Sequence, residues 1–280
     1  GNLMMTSLIG FIARSLAYSS EDCALQATLD ALDKVKVVGY AATEYSHCQG
    51  FNLEEAKEIG AHAREIGLPN WSCHASFHAP GAMDSPAGYA ADLGHTIAVC
   101  AALGAGVIVV HVPFRLGLLH PEEALLPKDQ RAFDLAVLDE AGQAAAEMGV
   151  ELALENGATL KHMDYILELV AHLSQPHIGI CVDTGHAALG SLGAARAVRM
   201  AGERLFTTHL QDNWGQVDDH LPPGSGNIDW GAVLGALRDV GYRGTLLLEL
   251  TDRASHRPYD QDKEMAAGYQ YVEQHWSAAG

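Results

Sequence analysis

The chain has 280 residues, 35 acidic against 17 basic, a formal net charge of −18 and a hydrophobic fraction of 48%. The hydrophobic fraction is that of a globular protein, and the acidic field argues against a partner held through its phosphate backbone. No apolar run reaches the roughly 18 residues of a membrane span, which excludes a transmembrane helix.

The predicted elements form eight strand-then-helix units with short connections. Strands at 7–13, 37–44, 70–75 and 106–111 alternate with helices at 22–34, 53–66, 87–103 and 128–148. The second half repeats the pattern, with strands at 149–155, 177–183, 204–210 and 244–250 and helices at 159–173, 190–201, 228–240 and 261–276. Gly67, Gly104, Gly149, Gly202 and Gly241 each follow a helical pattern where a C-cap glycine would sit. Regular alternation implies parallel pairing with crossover helices, and one α/β (β/α)8 TIM barrel of about 250 residues accommodates it. With no linker to cut at, residues 1–280 read as a single domain. Two long loops, Ser76 to Pro86 and Pro113 to Pro127, would lie on the C-terminal face as candidate lids.

The N-terminal stretch from Met4 to Ala17 is interrupted by Gly10 and Arg14 and has neither a basic leader nor a cleavage pattern. Five cysteines (Cys23, Cys48, Cys73, Cys100, Cys181) form no CxxC pair and are odd in number, which points to a reducing compartment. A soluble cytoplasmic chain without membrane contact is expected, with self-association into a homo-oligomer left open.

Five apolar runs end in a residue that can ligate a metal or move a proton: His111, Glu155, Asp183, His209 and Glu249. Buried parallel strands read as continuous apolar runs, and a polar group at their C-terminal ends points into the barrel mouth. One such residue can be a polar strand end that merely bonds a loop. Glu155, Asp183, His209 and Glu249 on consecutive strands are harder to explain as scaffold, because packed carboxylates without a cation repel or must be protonated. Three carboxylates and one imidazole suit one divalent cation, with manganese, cobalt or magnesium favoured over zinc.

These residues, with Glu155-Asn156, Asp183-Thr184-Gly185-His186, His209-Leu210, Leu248-Glu249 and the segment Pro223-Gly224-Ser225-Gly226-Asn227-Ile228-Asp229-Trp230, carry a resemblance over nearly the whole chain. It resembles the xylose-isomerase-like barrel superfamily, which holds sugar phosphate isomerases and epimerases, ketose 3-epimerases and, more distantly, endonuclease IV. The ketose 3-epimerase resemblance implies that Glu155, Asp183, His209 and Glu249 hold the metal. It further implies that Glu155 and Glu249 are the catalytic acid/base pair, removing a proton alpha to a carbonyl and returning it from the other face through an enediolate, and that His186 binds a substrate oxygen. The implied activity is a divalent-metal-dependent isomerase or epimerase of a sugar, sugar phosphate or keto-sugar. A keto-sugar lyase or dehydratase begins with the same proton abstraction.

The chain departs from ketose 3-epimerases where they carry an arginine; here the sequence is Asp218-Asp219-His220-Leu221-Pro222-Pro223. A free ketohexose is therefore in doubt as substrate. The endonuclease IV resemblance implies a phosphodiesterase at abasic DNA, with additional zinc ions held by counterparts of its ligands at His74, His111, Glu155, Asp183, His186, His209, Asp218, His220 and Glu249. Arg115, Lys128, Lys161 and Arg253 are few cations for a duplex, so a small sugar-like substrate is favoured, with His74, His111 and His220 as further substrate contacts. Glu44 either binds a sugar hydroxyl or pairs with Arg14. Trp71, Phe77, Phe114, Trp214 and Trp230 are candidates for an apolar wall, and the Gly224-Ser225-Gly226 turn is either an anion site or a turn needed for geometry.

Overall fold

A computed structural model describes residues 5–8, 23–46, 48–75, 85–116, 126–250, 258 and 260–277. Eight strands, β1 (Met5–Leu8), β2 (Ala42–Ser46), β3 (Asn70–His74), β4 (Val107–His111), β5 (Glu151–Glu155), β6 (Ile178–Asp183), β7 (Leu205–His209) and β8 (Leu246–Leu248), form one sheet in the order β7-β6-β5-β4-β3-β2-β1-β8. All seven pairings are parallel. The outermost strands meet through a parallel bridge between Leu210 and Leu248, where Leu210 N–H donates to Leu247 O at 2.7 Å and Glu249 N–H to Leu210 O at 3.1 Å. The sheet thereby closes into the expected barrel.

Around it run the described helices α1 (Cys23–Val38), α2 (Leu53–Glu65), α3 (Pro86–Leu103), α4 (Gln130–Glu147), α5 (Leu160–Leu173), α6 (Thr184–Ala188), α7 (Ala194–Ala201), α8 (Trp230–Asp239) and α9 (Gln261–Ser277). None of them is long and apolar enough to cross a membrane.

The apolar runs are continuous because both strand faces are buried. Ile108, Val110, Leu152, Leu154, Ile180 and Val182 belong to the large core cluster between barrel and helices. Val107, Val109, Ala153 and Cys181, on the alternate face, form a separate cluster. That second set sits two and four residues before His111, and two before Glu155 and Asp183, so strand periodicity places it inside the barrel beneath those polar ends. Each fully buried Val, Leu or Ile contributes about 1.5–3 kcal/mol.

Some boundaries differ from expectation. Val37 and Val38, read as the start of the second strand, belong to α1. Val35 is buried and Val37 is 87% exposed, a helical rather than a strand alternation, and Gly39 at φ +114° ends the turn with its N–H on Lys36 O. The short helix α6 directly after β6 was not anticipated; it arises because Asp183 accepts the His186 N–H at 2.8 Å as an N-cap. The five anticipated C-cap glycines all have positive φ. Most of both candidate lid loops (76–84 and 117–125), together with Arg14, Phe77 and Arg253, lie outside the described residues.

Candidate active site and metal centre

Register carries the site residues to one end of the barrel. His111 on β4 pairs with Glu155 on β5, and Asp183 on β6 pairs with His209 on β7. Glu249 follows the last residue of β8. One ligand atom from each of Glu155, Asp183, His209 and Glu249 lies within 4.8 Å of all the others; the first three are buried, and the Glu249 side chain is 12% exposed.

At the centre, His209 Nδ1 lies 3.3 Å from Glu155 Oε1 and 3.2 Å from Glu249 Oε2. Neither His209 Nδ1 nor Glu249 Oε2 has a hydrogen-bond partner. Two buried polar atoms facing each other without satisfaction are costly, and both are good metal donors. This donor set, three carboxylates and an imidazole, fits a divalent cation.

A second histidine group adjoins it. His111 Nε2 lies 2.7 Å and His74 Nε2 3.1 Å from Glu155 Oε2. His74 donates its Nδ1 hydrogen to Ala75 O at 2.7 Å, which leaves Nε2 turned inward. A third group gathers on the other side: His186 Nε2 and His220 Nε2 approach Asp218 Oδ2 at 3.2 and 3.0 Å. His186 Nδ1 is 3.3 Å from Glu155 Oε1, linking this group to the centre.

Glu44 is fully buried. Its carboxylate accepts from His209 Nε2 at 2.9 Å and from the Ser72 hydroxyl, so it lies behind His209 rather than open to a sugar. Trp230 is buried with its indole N–H on Asp212, Trp71 donates to Thr207 Oγ1 at 2.9 Å, and Phe114 packs beside Tyr89. Trp71 and Phe114 are half-buried, and Trp214, 57% exposed, is the most open of the described members of the proposed aromatic wall.

Electrostatics set the charge states. Burial alone would raise the Glu155 carboxyl, but the imidazoles of His111 and His209 outweigh it and hold it well below the usual range. Glu249 is likewise opposed by burial and lowered to about 2, mainly by His209. Asp183 goes the other way: burial pushes it well up, His186 opposes, and the charges of Glu155 and Glu249 add to the rise.

Several neighbours of these residues were given no role from the sequence, although Asn156 was noted beside Glu155. Gln211 Nε2 donates to Asp218 Oδ1 at 2.7 Å and reaches both Asp183 oxygens at 3.3 and 3.4 Å; its spacing of two from His209 was the available signal. Asn156 grips β6 on both sides, accepting from Asp183 N–H at 2.8 Å and donating to Asp183 O at 3.1 Å. Asp212 accepts the N–H groups of Gly224, Gly226 and Ile228. The glycine turn thus spends its amides on an internal carboxylate, and geometry, not anion binding, explains it.

A family model described as xylose isomerase-like TIM barrel matches residues 32–274. The chain belongs to this family. Among its relatives, D-psicose 3-epimerase of Enterocloster bolteae is 31% identical over 124 residues, 42% of this chain and 40% of that protein. Inosose isomerase of Bacillus licheniformis is 27% identical over 162 residues, 54% of this chain and 56% of that protein. The chain spans about half the length of the curated relatives it matches. A solved structure of L-ribulose 3-epimerase superposes with a TM-score of 0.81 at 18% identity, covering 99% of this chain and 96% of that one, which supports the barrel assignment.

Proposed function

We propose that the chain is a divalent-metal-dependent isomerase or epimerase of an uncharged keto-sugar or cyclic polyol ketone. The observation that carries this reading is the convergence of Glu155, Asp183, His209 and Glu249, with two buried donor atoms otherwise unsatisfied. Kinship with ketose 3-epimerases and inosose isomerases supports it. Glu155, Asp183, His209 and Glu249 would hold the cation, which would supply Lewis-acid stabilisation of the developing enediolate charge, with manganese, cobalt or magnesium suited to the hard donors.

The chain's own groups then account for the proton. One glutamate carboxylate removes the hydrogen alpha to the carbonyl, leaving its electron pair in an enediolate. For epimerisation the other carboxylate relays a proton from solvent to the opposite face while the first gives its proton up to solvent; for isomerisation the first redelivers its proton to the neighbouring carbon. Glu155 and Glu249 come from β5 and the end of β8, and their low proton affinity leaves both able to start as base. His186, His111, His74 and His220 ring the centre as donors and acceptors for hydroxyls. The ion-pair partners described for these carboxylates are all imidazoles, and the glycine turn has no amides to spare, so an uncharged substrate suits the site better than a phosphorylated one. Buried free thiols at Cys48, Cys73, Cys100 and Cys181 support a reducing compartment such as the cytoplasm.

Incubating the manganese-loaded protein with a panel of ketoses and inososes in deuterium oxide tests the reading. Wild type should incorporate deuterium alpha to the carbonyl, whereas Glu249→Gln should keep its metal and lose exchange by at least about 10²-fold. Exchange retained in that variant removes Glu249 from the acid/base role, and an eliminated product in place of an isomer would mark a dehydratase.

A second reading has one specific observation in its favour: His74 and His111 cluster with Glu155, and His186 and His220 with Asp218, beside the central four. These groups suit a polynuclear phosphodiesterase acting at abasic DNA. Three zinc ions per chain with incision of an abasic duplex would establish it, and one ion per chain without incision would end it.

A further inference from the structure

Glu44 is a buried carboxylate against the site that the proton-transfer scheme does not use. It lies on β2, two residues before Ser46, which is level with His74 in the register. It therefore sits one layer beneath the ring of site residues. Both of its oxygens are within hydrogen-bond distance of His209 Nε2, at 2.9 and 3.1 Å, and the Ser72 hydroxyl, its register partner on β3, donates to Oε2. Glu44 and His209 are both 0% exposed, so neither contact competes with water. His209 has one nitrogen on Glu44 and the other, Nδ1, facing Glu155 and Glu249.

We propose that Glu44 is a positioning residue: by accepting the Nε2 hydrogen of His209, it fixes that ring's orientation and leaves Nδ1 as the donor aimed at the metal position. The inference rests on the metal reading given above. A carboxylate behind a ligating imidazole does two things. It selects the tautomer whose lone pair faces the ion, and it raises that lone pair's basicity. The Ser72 hydroxyl fixes the carboxylate in turn, so the chain Ser72, Glu44, His209 runs from β3 through β2 to β7 across the barrel interior. A sugar hydroxyl cannot reach Glu44 without displacing His209.

The test uses the whole chain, stripped of metal and titrated with manganese by calorimetry, for wild type, Glu44→Gln, Glu44→Ala and Ser72→Ala. Glu44→Ala should weaken manganese binding about 10–100-fold. Glu44→Gln, whose amide oxygen can still accept the hydrogen, should fall between it and wild type, and Ser72→Ala should shift in the same direction by less. In metal-free protein, proton NMR should show a downfield, slowly exchanging imidazole N–H, assigned by its absence in His209→Ala and lost in Glu44→Ala. Manganese affinity and the N–H resonance both unchanged in a folded Glu44→Ala or Glu44→Gln would overturn the inference. A rise in KM alone, at unchanged metal affinity, would also overturn it by returning Glu44 to substrate binding. Wild type that binds no divalent ion would instead fail the metal reading itself and take this inference with it.

Discussion

His111 and His74 share the Glu155 Oε2 oxygen at 2.7 and 3.1 Å, and their Nε2 atoms stand 3.1 Å apart. Burial lowers the His111 imidazole against the pull of Glu155, which favours the neutral ring, a form that can take a hydroxyl hydrogen bond. In His74 burial also acts downward, but the bonded Glu155 carboxylate wins and raises it. Both rings are thus held on Glu155, with His111 the more open of the two toward the mouth. His111→Ala should raise KM roughly two- to tenfold, the worth of one hydrogen bond, while elemental analysis still finds one ion per chain. Loss of a second ion in that variant would instead place His111 in a further metal site.

At the scale of elements, the segment between β7 and α8 is built around Asp212. Its two oxygens accept five N–H groups, from Asn213 at 2.9 Å, Gly224 at 3.0 Å, Gly226 at 2.9 Å, Ile228 at 3.1 Å and the Trp230 indole at 2.8 Å. An antiparallel bridge between Asp212 and Leu221 closes the excursion that carries Asp218 and His220. Gly226 has no room for a Cβ, which would press on Asn213 O and Asp212 Oδ1. Asn at position 212 would turn an NH2 group toward hydrogens that need an acceptor. Asp212→Asn should therefore cost at least about 1.5–3 kcal/mol, the value of a lost hydrogen bond to a charged group, read by urea unfolding. Unchanged stability would mean that the segment folds without this anchor.

For the whole molecule, a charge of −18 favours solubility over compaction, and the buried carboxylates make stability depend on pH. Outside the site, Asp134 on α4 joins three parts of the structure, accepting from Phe114 N–H at 3.0 Å, Gln130 Nε2 at 2.7 Å and the Tyr165 hydroxyl at 2.5 Å. Burial still raises it to about 6 against those bonds. The folded protein therefore holds this proton where the unfolded chain, titrating near 3.8, has released it, and stability falls as pH rises from about 4 through 6. Asp134→Asn lacks this slope. The unfolding free energy of wild type relative to Asp134→Asn should drop by about 2–3 kcal/mol between pH 4 and pH 7; parallel pH curves for the two proteins would sink the assignment.

Barrel topology was legible in the sequence because it rests on local rules. Apolar runs of strand length, helical periodicity and C-cap glycines depend on residues a few positions apart, and polar strand ends such as Glu155 and Asp183 mark the mouth once strands are parallel. The boundary at Val37 was misread because the three valines Val35, Val37 and Val38 fit either period, and only burial distinguishes Val35 from Val37. The partners were decided by tertiary structure. Glu44 meets His209, 165 positions away, and Asp212 gathers amides up to 16 positions away. A sequence records that a carboxylate is present, but whether it faces a ligand, a histidine or a ring of amides depends on which layer of the barrel it occupies, and closure of the sheet sets that.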